Sequence, residues 1–399
     1  MKVLFLLLSM PDDIAASDMY IDLLGEFKDN GHEVTVMAPS NVNKTLLTQE
    51  RGVEVLRVKA QQTQNVTNML KKGIALALLP FFYKRAYKKY LYNRDFDWIF
   101  MPTPPITLVD FVSYLKKHTN AGFYLILRDI HPQSVASIGV VKNRLMYNYL
   151  EKRARRGYET ADYIGCMSQG NIKFIMNNYP NLRNEKLVLL MNWQKDEGYT
   201  PAIIDIRKKY NLEDKTLVLF GGNIGLGQRV ENIFTLAKEF SNDNKIVFLI
   251  VGKGVKKQNL KNLVYSEKLE NVLFIDFLPR QEYLDFVKSV DIGLVSINEN
   301  YKVPTCPSKA VSYMSLKIPI FAMINPNNDY GEIIEKAGAG FWTVGSDKEL
   351  VFNLFNKLCN DEELRKKMGD SGYKYYLSNL TSKCAYKTIV TQVVEYEKT

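Results

Sequence analysis

At 399 residues with 46% hydrophobic composition, the chain is too long for one ordinary core and long enough for two α/β domains. Its four cysteines, Cys166, Cys306, Cys359 and Cys384, form no C-x-x-C pair, which argues against a disulfide scaffold or a zinc site and suits a reducing cytosol. The net charge of +10 is lopsided: residues 1–195 carry 26 lysines and arginines against 17 acidic residues, and the remainder is near balance, so a polyanionic surface, membrane or nucleic acid, is expected to face the first half.

Residues 3–8 form a continuous apolar run, the pattern of a strand buried on both faces of a parallel sheet. The run stops at Pro11-Asp12-Asp13 with no small-residue cleavage site, so it reads as a first strand and not a secretory leader. Helical spacing over 15–29 ends at Asn30-Gly31, and 32–38 reads as a second strand. Further strands are expected at 53–58, 98–101 and 123–127 with helices between them. This alternation predicts a doubly wound parallel sheet.

Between Glu54 and Asp95 there is no acidic residue, while nine lysines and arginines occur. Within that window, 69–92 mixes apolar and aromatic residues with flanking basic ones, and 142–156 is a second basic helix. Both segments suit an anionic membrane surface. An ordinary packed helix with solvated lysines is the bland alternative. Neither segment fits a module that reads RNA or DNA, so no nucleic acid is expected. The run at 73–83 is too short to span a bilayer, which needs about 20 residues.

The last strand of the first half is placed at 188–191, followed by a polar connection over 196–215 with a short helix. A second series of strands is expected at 217–220, 246–251, 272–276, 292–297 and 318–322. The expected domains are therefore 1–195 and 196–379, with a C-terminal helix over 380–399 packing back on the first. Two such domains with a cleft between their strand ends form a natural site for a nucleotide-linked substrate.

The second half opens on an apolar strand that runs into Gly221-Gly222-Asn223-Ile224-Gly225-Leu226-Gly227 and then a helix near Glu231. Four glycines between a strand and a helix let backbone N–H groups converge on an anion. A tight strand-to-helix connection is the other reading. The loop fits neither G-x-x-x-x-G-K-[ST] nor G-x-G-x-x-G, which disfavours a nucleoside triphosphatase or a plain dinucleotide site.

Three histidines are available. His32 reads as a surface turn residue, and His118 as a helix-end residue whose charge suits the dipole. His131 lies in Arg128-Asp129-Ile130-His131-Pro132, directly after the strand at 123–127, where a doubly wound domain places ligand-facing residues. Asp129 is an equal candidate. In the second half a proline-stiffened loop ends at Pro307-Ser308-Lys309 and opens a helix. A lysine in a helix's first turn is electrostatically out of place unless something negative binds. Glu332 opens another helix, as a helix-start acid or as a ribose acceptor.

These segments together resemble the family 4 retaining glycosyltransferases of the GT-B fold, over nearly the whole chain. RDIHPQSVASIGVVKNR is similar to the D-[IL]-W-P-E-S segment of transferases that build bacterial surface polysaccharides. GGNIGLGQ is similar to their G-N-[IM]-G-x-x-Q, VGKG to V-G-x-G, and PSKAVSYMSLKIPIFA to P-S-K-…-Y-M-A-x-G-K-P-V. The opening AASDMYIDLLGEFKDNGHEVTVMAP resembles GGAERY…GHEVTV, with Ala15, Ala16 and Ser17 in the loop expected near the donor, and alanines where the family has paired glycines.

The resemblance implies transfer of a sugar from a nucleotide-sugar, most often UDP-linked, with retention of configuration and with neither metal nor other cofactor. It implies that Gly222, Asn223, Gly225 and Gln228, with Gly252 and Gly254, line the diphosphate and sugar, and that Leu278 and Pro279 flank the base. Ser308 and Lys309 would hold the phosphates, while Asp129 and His131 would face the sugar. His131 stands where tryptophan is usual, and Ser312 where an acid binds ribose, which moves that role to Glu332 or elsewhere. The acceptor implied is a lipid-linked or oligosaccharide precursor of capsule, O-antigen or a related glycan, built by an enzyme in the cytoplasm, peripheral to the inner face of the cell membrane. A GT-B-fold nucleotide-sugar 2-epimerase and a non-enzymatic basic membrane module are the alternatives.

Overall fold

A computed structural model describes residues 1–11, 16, 18–40, 42–60, 69–203 and 206–396. The chain divides into two compact units: Met1–Met191 with the stretch from Ala385 onward, and Asn192–Cys384.

The first unit holds β1 (Lys2–Leu6), α1 (Met19–Asp29), β2 (Glu33–Pro39), β3 (Leu46–Glu50), β4 (Val53–Val58), α2 (Met69–Tyr90), β5 (Trp98–Pro102), α3 (Val109–Lys116), β6 (Gly122–Leu127), α4 (Gln133–Ser137), α5 (Arg144–Thr160), β7 (Tyr163–Cys166), α6 (Gln169–Asn178) and β8 (Leu187–Leu189). Its sheet runs β3-β4-β2-β1-β5-β6-β7-β8. All neighbours are parallel except β3, which pairs antiparallel with β4. The sequence reading gave a wholly parallel sheet. The extra strand comes from a tight hairpin at Arg51 and Gly52, both with positive φ, the conformation that joins two strands in a two-residue turn. The helix expected from residue 15 begins at Met19, where Asp18 caps it by accepting from the N–H groups of Tyr20 and Ile21, a common helix start. Lys142 lies ahead of α5, which Asn143 caps.

Aromatic stacking fills this core. Phe5 lies 4.8 Å from Phe100 and 5.5 Å from Phe27, ring to ring. The C-terminal helix α15 (Ser382–Tyr396) completes it. There Tyr386 sits edge-on to Phe27 at 5.1 Å, and its hydroxyl lies 2.8 Å from His32 Nε2. His32 is thus half-buried against a distant helix and is no surface turn residue, and burial draws its pKa below the usual histidine value. Gln392 accepts from the Tyr124 hydroxyl at 2.7 Å.

The second unit contains α7 (Ile206–Tyr210), β9 (Thr216–Asn223), α8 (Val230–Glu239), β10 (Ile246–Lys253), α9 (Lys257–Ser266), β11 (Val272–Ile275), α10 (Arg280–Val287), β12 (Ile292–Ser296), α11 (Ser308–Ser315), β13 (Ile320–Ile324), α12 (Tyr330–Ala337), β14 (Gly340–Val344), α13 (Lys348–Asn360) and α14 (Glu362–Asn379). The sheet is parallel throughout, in the order β11-β10-β9-β12-β13-β14. Strand order reverses between β9 and β12, and in the first unit between β1 and β5. In such sheets ligands bind beyond the strands' carboxyl ends at these switch points.

Candidate functional site

At the switch point of the second unit, β9 runs further than the sequence suggests. Gly221, Gly222 and Asn223 are strand residues, paired with Val251, Gly252 and Lys253 of β10. The turn expected over 221–227 is thus corrected to the six residues between β9 and α8. The glycines of β10 make that extension possible. A Cβ on Gly252 would lie 2.0 Å from the Gly222 carbonyl oxygen, and one on Gly254 2.2 Å from that of Ile224. Gly252 and Gly254 therefore let two strand ends approach closely. In the shortened turn, the N–H groups of Gly225, Leu226 and Gly227 bond to nothing among the described residues. Successive unpaired N–H groups of this kind form an anion-binding concavity.

The opposite wall follows β12. Asn298 ties it to the turn, donating from its backbone N–H to Gly227 O at 3.0 Å and from Nδ2 to Leu226 O at 3.0 Å. Asn192, Asn325 and Asn328 donate to the carbonyls of Cys306, Tyr301 and Thr305. This loop is held on three sides before it reaches α11. Pro307 offers no side-chain cap there; the Ala310 N–H turns back to Pro307 O at 3.2 Å, and the N–H groups of exposed Ser308 and of Lys309 bond to nothing among the described residues.

Lys309 is the charged centre of this edge. Its Nζ lies 3.1 Å from Gln228 Oε1 and 3.7 Å from the centre of the buried Phe220 ring. No carboxylate among the described residues pairs with it. The residue as a whole is half-buried, and burial of its ammonium end pushes the pKa down to about 7. Gln228 thus meets the lysine, a partnership that sequence reasoning missed, along with Phe220 beneath it. Arg229, beside them in sequence, is neutralised by Glu299 at 2.9 Å.

The remaining candidates of this unit lie around the same sheet end. Phe277 is 60% exposed just after β11, with Lys253 Nζ 4.6 Å above its ring. Leu278 and Pro279 follow it into α10. Glu332 is exposed in the first turn of α12, whose start is joined through Asn328 to Thr305. Ser312, in the place of an acid, donates to Gln194 Oε1 at 2.8 Å, and Gln194 Nε2 donates to Ser315 at 3.0 Å.

In the first unit, Asp129 and His131 follow the carboxyl end of β6. Thr103, just past β5, accepts from the backbone N–H groups of Arg128 (3.0 Å) and Asp129 (3.4 Å). Arg128 donates to Leu190 O at 2.8 Å. His131 Nδ1 is 2.8 Å from the Ser134 hydroxyl. Burial draws the imidazole pKa down, partly opposed by the charge of Asp129. The Asp129 carboxylate is half-buried and accepts no hydrogen bond among the described residues. Tyr20, from the first turn of α1, is close enough to feel both Arg128 and Asp129, and burial raises its pKa to about 12. Thr103 and Tyr20 were not singled out from sequence; the Thr-Pro-Pro run after β5 was the available signal for Thr103. Of the opening loop, Ala15 and Ser17 lie outside the described residues, while the Ala16 carbonyl accepts from Arg51 at 3.0 Å.

The two basic segments lie on α2 and α5. Exposed Ile74, Leu78 and Phe81 recur at helical spacing on α2, followed by exposed Arg85, Lys88 and Lys89. On α5, Leu145 is 79% exposed and Met146 is exposed beside it. Not all the positive charge is free: Arg153 and Arg156 share Asp110, and Arg155 reaches Glu151. Among the described residues no helix is long and apolar enough to cross a membrane.

Residues 203–375 match the family model described as glycosyl transferases group 1. The chain is 23% identical over 299 residues, 74% of each chain, to the probable glycosyltransferase WbjE of Pseudomonas aeruginosa. It is 33% identical over 119 residues to the O-antigen biosynthesis glycosyltransferase WclY of Escherichia coli, which is 29% of this chain and 33% of that one. Among solved structures, the sucrose-phosphate synthase of Thermosynechococcus elongatus superposes with a TM-score of 0.77 at 13% identity, covering 100% of this chain and 99% of that one. The fold is GT-B, and the second unit carries a group 1 glycosyltransferase domain.

Proposed function

We propose that this chain, a glycosyltransferase of the GT-B fold, moves a sugar from a UDP-linked donor to a lipid-linked glycan acceptor, with retention, in the synthesis of a bacterial surface polysaccharide. One observation carries the donor assignment. Lys309 is enclosed without a counterion among the described residues, in the first turn of a helix, at the switch point of a parallel sheet. A buried cation lacking a paired carboxylate is costly, and a diphosphate supplies the missing charge. As the leaving diphosphate gains charge, the ammonium, the open N–H groups of the turn and the start of α11 stabilise it; each such donor contributes roughly a few kcal/mol. Asp129 and His131 are assigned to the sugar and acceptor side. The partial likeness to the O-antigen transferase WclY supports the substrate class.

A thermal-shift panel of UDP-, GDP- and TDP-sugars tests the donor, since a ligand that binds only the folded state raises its melting temperature. UDP-sugars are expected to give the largest shift, and a flat panel would sink the donor assignment. UDP release that depends on added lipid-linked acceptor separates transfer from 2-epimerisation, in which the sugar changes without an acceptor.

The apolar and basic surfaces of α2 and α5 support docking on anionic lipid, in keeping with an enzyme working at the cytoplasmic face of the membrane. Flotation with phosphatidylglycerol vesicles is expected to carry the wild type and to lose the Phe81→Ser, Leu145→Ser variant. Equal flotation of both proteins would remove these helices from the membrane assignment.

A further inference from the structure

The surroundings of Lys309 raise the question of its charge before a donor arrives. Its Nζ has an amide oxygen and an aromatic ring as neighbours, and it occupies the positive end of a helix dipole, where a cation is disfavoured. The nearby elements supply no compensating charge. From α10, the Tyr283 hydroxyl lies beside Gly221 with its pKa raised to about 12 by burial. Asp285 is taken by Lys288 and the Ile203 N–H. On α11, the Tyr313 hydroxyl donates to Leu219 O and is raised well above its usual value, so it stays neutral. The loop after β12 offers Glu299, which Arg229 neutralises, exposed Lys302 and the buried Cys306 thiol. The end of β9 contributes no titratable group.

We propose that Lys309 holds the donor's diphosphate by changing from amine to ammonium, so that capture of each donor takes one proton from solvent and release of the nucleotide returns it. No bond to the donor forms; the only covalent change is Nζ–H. The inference rests on the donor reading above.

The sign follows from the lowered pKa of the free protein, about 7 by burial. Below that pH the lysine is protonated with or without donor, and no proton is exchanged. Above it, the free side chain is neutral and the bound one charged, so affinity falls by about tenfold per pH unit for one linked proton.

Isothermal titration calorimetry with UDP-glucose, UDP-N-acetylglucosamine and GDP-mannose, in two buffers of different ionisation enthalpy, reads this directly. The diphosphate of a nucleotide-sugar is a diester with constant charge over this range, so any proton taken up belongs to the protein. The expected result is near-zero uptake at pH 6 and close to one proton per donor at pH 8.5. Gln228→Glu, which puts a carboxylate beside Nζ, is expected to keep the lysine charged and abolish the uptake between pH 7 and 9. Lys309→Arg, if folded, is expected to bind without uptake. Tight binding by the wild type with no uptake at pH 8.5, or undiminished uptake in Lys309→Arg, would overturn the proposal. Failure of all three nucleotide-sugars to bind at any pH would overturn the donor reading itself.

Discussion

The switch-point edges of the two sheets are built on opposite electrostatic plans. In the first unit, groups beyond β5 and β6 bond to one another: Thr103 holds the backbone of Arg128 and Asp129, Leu190 receives Arg128, and Ser134 meets His131, with the Asp129 carboxylate left without a hydrogen bond among the described residues. In the second unit, among the described residues, the ammonium of Lys309 meets only Gln228 and Phe220, and three consecutive N–H groups of the turn are open. One edge is organised before any ligand binds, and the other is short of negative charge. The difference points to a division of labour. We propose that the second unit captures an anion, while the first positions a carboxylate and an imidazole.

The largest expected effect breaks the second plan. Lys309→Ala is predicted to cut transfer by about a hundredfold to a thousandfold, the usual result of deleting one transition-state donor, measured as UDP release. Lys309→Met should lose donor binding yet raise the melting temperature of the free protein below pH 7, because it removes a buried, uncompensated charge. A melting temperature that fell along with activity would mean that Lys309 is structural. The next effect concerns the strands that shape the turn. Gly252→Ala is predicted to cost about 3 kcal/mol or more, since its Cβ would strike the Gly222 carbonyl at 2.0 Å and its φ of +136 disfavours any side chain. Gly222→Ala faces open space and bears the backbone strain alone, about 1 kcal/mol. Chemical denaturation of both proteins ranks them, and an equal loss would remove the close-approach argument.

How far this contrast was legible in the sequence depends on how local each signal is. Lys309 could be found because a proline-stiffened helix start beside a lysine is a short-range pattern with an electrostatic meaning. Asp129 and His131 could be found because they directly follow an apolar strand. The true extent of β9 was hidden: glycines at 221 and 222 read locally as a turn, and only their pairing with Val251 and Gly252 shows them to be strand. The antiparallel β3 was hidden because LLTQE lacks strict alternation, although Arg51-Gly52 after it was a usable turn signal. Gln228 and Phe220 meet Lys309 from 81 and 89 positions away, and Gln392 reaches Tyr124 across 268. No window of sequence carries such pairings.

A third test sharpens the first unit's part. Asp129→Asn preserves shape and removes charge from a carboxylate that accepts no other bond among the described residues. If the first unit positions and the second captures, the variant should lose about tenfold to a hundredfold in kcat. Its thermal shift with the donor should stay unchanged. A parallel loss of donor binding would erase the division between the units.

The smallest expected effect lies at His131, and it is a matter of pH. Burial lowers the imidazole pKa below its usual value, with Asp129 pulling the other way, so the ring is neutral at pH 7 and charges only on the acid side of the usual histidine range. Its Nδ1 already meets the Ser134 hydroxyl, and a neutral ring can accept or donate there, whereas a charged ring can only donate. The His131 contribution to activity is therefore expected to be level from pH 8 to neutrality and to fall on the acid side as the ring takes up its proton. His131→Gln keeps a hydrogen-bonding side chain that does not titrate, so it should flatten that acid limb with less than a tenfold loss at pH 7.5. Lys309 acts in the opposite window, above pH 7, so the two limbs can be assigned separately in one pH profile. An acid limb that persists in His131→Gln would move it to another group.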